Sequence, residues 1–119
     1  KEIKRVVKQQ GLRIDLSRLA IINPTTSPKF QSYAETFYEI RKSHGMTPEV
    51  AADMMQDVAY FGSMMVYKGD ADGMVSGAAH PTAHTLRPAF QIIRTKPGFS
   101  VVSSVFFMCL EDRVLVYGD

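Results

Sequence analysis

The chain has 119 residues, 45% of them hydrophobic and 22% charged, so it is long enough for one small domain with an apolar core. Its net charge of +2 is too small to indicate a nucleic-acid-binding surface. The single cysteine, Cys109, excludes an intramolecular disulfide, no apolar run approaches the length of a membrane span, and no signal peptide opens the chain, so we expect a cytoplasmic protein without membrane or nucleic-acid partners.

The first half of the chain is predicted to contain three helices and one short strand. Apolar residues at helical spacing predict helices over residues 1–10 and 29–43. The β-branched run of residues 19–22 predicts a buried strand that ends at the following Asn-Pro pair. Thr47, followed by Pro and Glu, is a strong helix start and predicts one helix that continues to about residue 67. We interpret the methionines of this helix as core residues, because Met fills irregular gaps.

The position of Pro88 sets the predicted start of the next helix. A proline deep inside a helix removes a hydrogen bond and clashes with the preceding turn, whereas the N–H groups of a first turn have no helical partner anyway. The helix should therefore begin near Thr85 rather than Thr82 and run to about residue 94. Before it, the small apolar residues 74–79 predict a second buried strand.

The last part of the chain is predicted to form a β-hairpin. Residues 101–110 and 114–117 are apolar, and Glu111 and Asp112 between them suit a tight turn. The order of helices and strands predicts a mixed α/β fold. Because the sequence opens without Met and stops straight after an apolar run, we expect a piece of a longer protein, which by itself would be aggregation-prone through unpaired strand edges.

Residues 69–94 combine a glycine-rich turn, small residues, a polar loop and a helix start, which together favour an anion site. Arg87 is able to bind a phosphate through two parallel hydrogen bonds. Three hydroxyl side chains are further candidate donors: Ser76, Thr82 and Thr85. The alternative is a capped helix without a ligand, in which Arg87 pairs with an acid such as Asp72. No phosphate-loop or dinucleotide-binding motif is matched.

A metal site is not expected. His80 and His84 lie four residues apart, but Pro81 makes a shared helical face improbable, and we interpret both histidines as loop or capping residues. Asp70 and Asp72 lie in a glycine-rich turn, where acids usually serve turn formation.

The run Gly-Asp-Ala-Asp-Gly-Met-Val-Ser-Gly-Ala at residues 69–78, followed by His80, Thr82-Ala83 and Thr85-Leu-Arg-Pro-Ala, resembles the signature of the phosphate acetyltransferase family. Further matching segments are residues 22–24, 38–42, 45–47, 96–110 and 114–119. The resemblance therefore covers nearly the whole chain and is far more specific than a short motif. One departure is Pro81, which stands where the family usually has Thr or Ser and leaves Thr82 and Thr85 as hydroxyl candidates.

The resemblance implies a three-layer α/β/α fold with a mixed sheet, like that of isocitrate and isopropylmalate dehydrogenases. In that fold two α/β domains face each other across a cleft, and the enzymes are typically homodimers. Residues 1–96 would supply the later part of the first domain, and residues 97–119 the first strands of the second. The fold would be incomplete in this chain.

The reaction implied is acetyl-CoA plus phosphate giving acetyl phosphate plus coenzyme A, with no cofactor and no metal. Coenzyme A is a substrate whose deprotonated thiol attacks the acetyl carbonyl directly, so neither Cys109 nor Ser76 is expected to be a nucleophile. By motif, Arg41 matches an arginine implicated in coenzyme A binding. Its alternative is a solvated helix end.

Arg87 matches a second family arginine, in the active-site cleft, where arginines bind phosphate and offset charge on the tetrahedral species. The family's basic aspartate and its partner serine and arginine would lie further along the polypeptide, so this chain alone should be inactive. Two other functions stay open, an acyl-CoA-sensing domain of the kind attached to malic enzymes and a phosphate butyryltransferase. The signature of residues 69–88 favours the acetyltransferase over the sensing domain.

Overall fold

A computed structural model describes residues 2–118, in which five α-helices precede one β-hairpin. The helices are α1 (Glu2–Gln9), α2 (Phe30–Arg41), α3 (Pro48–Met55), α4 (Val58–Tyr67) and α5 (Thr82–Ile92). Short 3₁₀ turns cover Leu16–Arg18, Pro24–Thr26 and Lys42–His44. The strands β1 (Val105–Cys109) and β2 (Val114–Gly118) pair antiparallel, with Val105 opposite Gly118. The predicted hairpin is confirmed, although its first strand begins at Val105 rather than at residue 101.

The core lies between α2, α3, α4 and the end of α5. Its buried apolar residues are Tyr33, Ala34, Phe37, Ala51, Met55, Tyr60, Phe61, Met64 and Ile92. The rings of Tyr33 and Phe61 lie 4.9 Å apart and those of Phe37 and Tyr60 5.5 Å apart, so two tilted aromatic pairs join α2 to α4. The helical spacing predicted for α2 is therefore confirmed. Of the methionines predicted to be core residues, Met55 and Met64 are buried, and Met54 and Met65 are partly buried against the core.

The single helix predicted from Thr47 to residue 67 is wrong, because the chain forms α3 and α4 separately. Thr47 caps α3 as predicted, since its hydroxyl accepts a hydrogen bond from the Val50 amide at 3.3 Å. A second cap follows at Asp57, whose Oδ1 accepts from the amides of Ala59 and Tyr60 at 2.8 and 3.3 Å. A residue that caps a helix N-terminus has extended backbone, here ψ 134°, so α3 cannot continue through Asp57.

The predicted start of α5 near Thr85 is also wrong. The helix begins at Thr82 and contains Pro88. Pro88 is among the fully buried side chains, with less than 2% of its surface exposed. Burial of its ring against the helical bundle offsets the missing hydrogen bond to the His84 carbonyl.

Neither predicted strand in the first 80 residues is present. Residues 19–22 and 74–79 are exposed segments without strand pairing. Both have the composition of strands, but within residues 2–118 the sheet has only β1 and β2, and a strand requires a hydrogen-bonded neighbour. The helices and the antiparallel hairpin confirm the mixed α/β class. The three-layer, dehydrogenase-like arrangement and the division at residues 96 and 97 stay predictions.

Candidate functional site

The candidate residues lie at the C-terminal end of α2, the N-terminal end of α4 and the first turns of α5, and we call this region the junction. The start of α4 bonds to the first turn of α5 through Asp57 and His84, whereas the end of α2 bonds to Arg94, just after α5. Thr82, Thr85 and Arg87 lie on those first turns of α5, and Arg41 is the last residue of α2. Beside Arg87 runs an open groove of about 440 Å³. Its walls are Thr82, Ala83, Leu86, Arg87 and Phe90. A cationic side chain thus borders a largely apolar groove.

The phenol of Tyr60 is influenced by the charges of both arginines. Burial raises the pKa of the Tyr60 phenol above its usual 10.0, and Asp57 adds to this rise. The positive charges of Arg87 and Arg41 act in the opposite direction and lower the pKa of the same group. Two guanidinium groups that are 46 residues apart in sequence therefore influence one buried phenol.

Two buried polar atoms at this junction have no hydrogen-bond partner among the described residues, Nε of Arg41 and Oγ1 of Thr85. Arg41 is only partly exposed, which argues against the solvated helix end. Arg87 and Asp72 occur in none of the ion pairs within residues 2–118, so the structural pairing between them is not formed. Buried polar atoms without partners are costly, and two of them in one region mark it as a candidate functional site.

The loop that carries Ser76 passes next to the first turn of α5. At Gly77 the backbone has φ 105°, a conformation that favours glycine. A methyl group built on Gly77 would lie 3.8 Å from Oγ1 of Thr85. Ser76 and Thr82 are both exposed, so their hydroxyl groups face solvent rather than the protein interior.

Three residues at this junction were not predicted to belong to the site: Asp57, Tyr60 and His84. Nε2 of His84 lies 2.9 Å from Oδ2 of Asp57, and the Tyr60 hydroxyl donates to Oε1 of Gln91 at 3.0 Å. The interpretation of His84 as a loop or capping residue is wrong, because it lies inside α5 and bonds to another element. His80 does lie in the preceding loop, and its ring stacks on His84 with 4.6 Å between centroids.

Asp70, in the glycine-rich turn, bonds to α2 and to the residue before it. Lys29 and the Tyr33 hydroxyl both donate to its carboxylate. These two bonds, that from Lys29 first, lower the pKa of Asp70. No three His, Cys, Asp or Glu side chains in the described part of the chain are grouped to hold a metal ion. Among residues 2–118 no helix is long and apolar enough to span a membrane.

These features define an α/β protein whose candidate site contains two arginines and two buried polar atoms without hydrogen-bond partners. The family model described as phosphate acetyl/butaryl transferase matches residues 1–119, and the chain belongs to this family. The phosphate acetyltransferase of Synechocystis sp. is 60% identical over 117 residues, which are 98% of this chain and 17% of that protein.

Two solved structures resemble this chain closely. One is described as EutD phosphotransacetylase from Staphylococcus aureus, with a TM-score of 0.78 and 46% identity over 98% of this chain. The other is a phosphotransacetylase from Streptococcus pyogenes, with a TM-score of 0.81 and 45% identity over 97% of this chain. In each case the chain spans 35% of the matched structure's length.

Proposed function

We propose that the protein carrying this chain catalyses the reversible transfer of an acetyl group between coenzyme A and inorganic phosphate. The observation that carries the proposal is a pair of arginines without acidic partners, one beside an open groove and the other with a buried, unpaired Nε. Both substrates are rich in phosphate oxygens, which are the acceptors that guanidinium groups bind best.

The charge balance of the junction supports an anionic ligand. Neither Arg41 nor Arg87 belongs to an ion pair within residues 2–118. Asp57, the acid that influences Tyr60, bonds instead to His84 and to two backbone amides. Two like charges without acidic partners repel each other, and a bound phosphate group relieves that repulsion.

The proposed roles follow from the placement of each side chain. Arg41 binds a phosphate of coenzyme A. Arg87, exposed at the groove, binds inorganic phosphate or acetyl phosphate and offsets the charge that develops on the carbonyl oxygen. Thr85, Thr82 and Ser76 supply hydroxyl donors. The apolar wall of the groove, formed by Leu86 and Phe90, suits a short acyl chain or the pantetheine arm.

The chemical step needs no covalent enzyme intermediate. The thiolate of coenzyme A attacks the carbonyl carbon of acetyl phosphate, a carbon–sulfur bond forms, and the carbon–oxygen bond to phosphate breaks as phosphate leaves. The reverse reaction retraces this path. We expect the base that deprotonates the thiol to lie outside residues 1–119. Cys109 lies exposed on the hairpin and takes no part in this proposal.

Three expectations from the family belong to the same proposal: a two-domain, three-layer fold, a homodimer and a cytoplasmic location. The family description also covers butyryl transfer, so the acyl chain is a question for experiment. Comparing acetyl phosphate with butyryl phosphate as substrates of the full-length enzyme decides between the two. Coenzyme A binding without turnover of either compound would instead favour the sensing domain.

The sharpest test replaces Arg87. In the full-length enzyme we expect Arg87→Gln to fold normally while kcat/KM for acetyl phosphate falls about 100- to 1,000-fold, the scale for losing one transition-state donor. Arg87→Lys should recover only part of this loss, since it lacks the planar fork.

Arg94, two residues after the end of α5, offers a matched control. Its Nη2 donates to the Ile40 carbonyl at 3.1 Å, so Arg94→Gln should lower the melting temperature and leave turnover near normal. A stable Arg87→Gln enzyme with normal acetyl phosphate turnover would contradict the proposed site.

A further inference from the structure

A single carboxylate connects the start of α4 to the start of α5. Oδ1 of Asp57 caps α4 by accepting from the amides of Ala59 and Tyr60. Its other oxygen, Oδ2, lies 2.9 Å from Nε2 of His84. Because a carboxylate only accepts hydrogen bonds, Nε2 of His84 carries the hydrogen in this bond. The two side chains are 31% and 36% exposed, so the bond is partly shielded from water.

The first turns of α5 have few other restraints. Pro81 precedes the helix and supplies no side-chain cap. Pro88 has no N–H group, so the carbonyl of His84 lacks its helical hydrogen bond. The carbonyl that Pro88 leaves without a helical partner thus belongs to the residue that Asp57 holds from outside.

A second bond from α4 lies further along α5. The Tyr60 hydroxyl donates to Gln91, which is seven residues after His84 and therefore on the same face of the helix. Arg87 lies between these two attachment points, three residues after His84. Tyr60 is also the residue whose phenol is influenced by Arg87. The start of α4 thus holds α5 on both sides of Arg87.

We propose that Asp57 and His84 are positioning residues that fix the first turns of α5 and so direct Arg87 toward the phosphate-bearing substrate. This inference rests on the proposed function, because it acts through Arg87. The proposed positioning role differs from that of a purely structural bond, whose loss would affect stability alone. It also differs from a role of His84 in proton transfer, whose loss would lower activity whether or not Arg87 is present.

The test is a double-mutant cycle in the full-length enzyme with acetyl phosphate and coenzyme A. We expect His84→Ala to lower kcat/KM about 10- to 100-fold, the scale for a misplaced catalytic group. Combined with Arg87→Gln, the same change should cost less than about twofold more, because the group that it positions is already gone. His84→Gln should recover most of the activity, since its amide places an N–H near the position of Nε2.

Asp57→Ser separates the bridge from the cap. Serine is as good an N-cap as aspartate, but its short side chain has one oxygen, which caps α4 and leaves no second oxygen for His84. We expect this variant to keep its melting temperature near that of the parent and to lose activity like His84→Ala. It also serves if His84→Ala does not fold.

Ile92→Val controls for stability, because it removes one methyl group from a buried residue of α5 that is only 2% exposed. It should lower the melting temperature and leave kcat/KM unchanged. Equal losses from His84→Ala with and without Arg87, or full activity of Asp57→Ser, would overturn the inference while leaving the proposed function intact. Full activity of Arg87→Gln would overturn both.

Discussion

Phe37 is the side chain whose removal should most directly loosen the helical bundle beneath the site. It has 0% of its surface exposed, and its ring packs 5.5 Å from that of Tyr60. It also lies one helical turn before Arg41 on α2. Phe37→Ala would leave a cavity between α2 and α4, directly below one of the two arginines.

The size of the effect follows from this packing. Truncation of a buried Phe to Ala costs about 3–5 kcal/mol in lost burial and cavity formation. Phe37→Leu keeps most of the volume and loses mainly the aromatic pair, so it should cost about 1–2 kcal/mol. The alanine variant would thus remove a large part of the roughly 5–15 kcal/mol that stabilises a typical domain.

Urea unfolding of the full-length enzyme, followed by far-UV circular dichroism, measures these losses. Tyr67→Ala is the matched control, because Tyr67 lies on α4 but is 48% exposed and should cost less than half as much as Phe37→Ala. If Phe37→Ala loses less than about 1.5 kcal/mol, or no more than Tyr67→Ala, the assigned core is wrong.

Two further predictions concern charged groups. Arg41→Ala in the full-length enzyme should weaken coenzyme A binding by about 1.5–3 kcal/mol, with partial rescue by lysine, as measured by titration calorimetry. Unchanged affinity would refute its role. Because Lys29 and Tyr33 lower the pKa of Asp70, its stabilising contribution is complete above the unfolded pKa of about 3.9 and is lost as the pH falls through the lower folded value. Asp70→Asn should therefore melt earlier at pH 7, and this difference should shrink in acid; a gap that is constant with pH would contradict the assignment.

The parts of the fold that the sequence predicted are those set by local chemistry. The apolar spacing of α2 places Tyr33 and Phe37 in the core. Thr47 caps α3. Gly45, which follows the predicted helix of residues 29–43, adopts φ 80°, a left-handed conformation that few other residues accept. The hairpin follows from two apolar runs around a short acidic turn. Each of these signals involves residues close together in the chain.

The predictions that failed depend on residues far apart or on a choice between two local signals. Residues 19–22 and 74–79 have the composition of strands, but composition does not supply the neighbour that a strand needs. Pro88 favours a later helix start, yet its burial outweighs that preference. At Asp57, continuous helical spacing masked a capping residue, although aspartate is one of the strongest N-cap residues.

The residues of the candidate site fall into the same two groups, those that the sequence identifies and those that only the structure identifies. Arg41 and Arg87 stand out in the sequence by residue type and by the motifs around them. Asp57, Tyr60 and His84 do not, because their importance arises only in three dimensions. Asp57 and His84 are 27 residues apart, and Tyr60 reaches Gln91 across 31 residues. No spacing rule joins such pairs before the packing of α4 against α5 is known.

The two arginines are held in different ways. Arg41 ends a helix whose inner face is sealed by Tyr33, Ala34 and Phe37, so the core fixes its position. The outer face of α5 remains uncovered within residues 2–118, where Leu86 is 44% exposed and Phe90 is 51% exposed. Because packing secures only one side of α5, we expect the polar bond from Asp57 to contribute to the position of Arg87. A change at His84 should consequently impair phosphate-dependent steps more than coenzyme A binding.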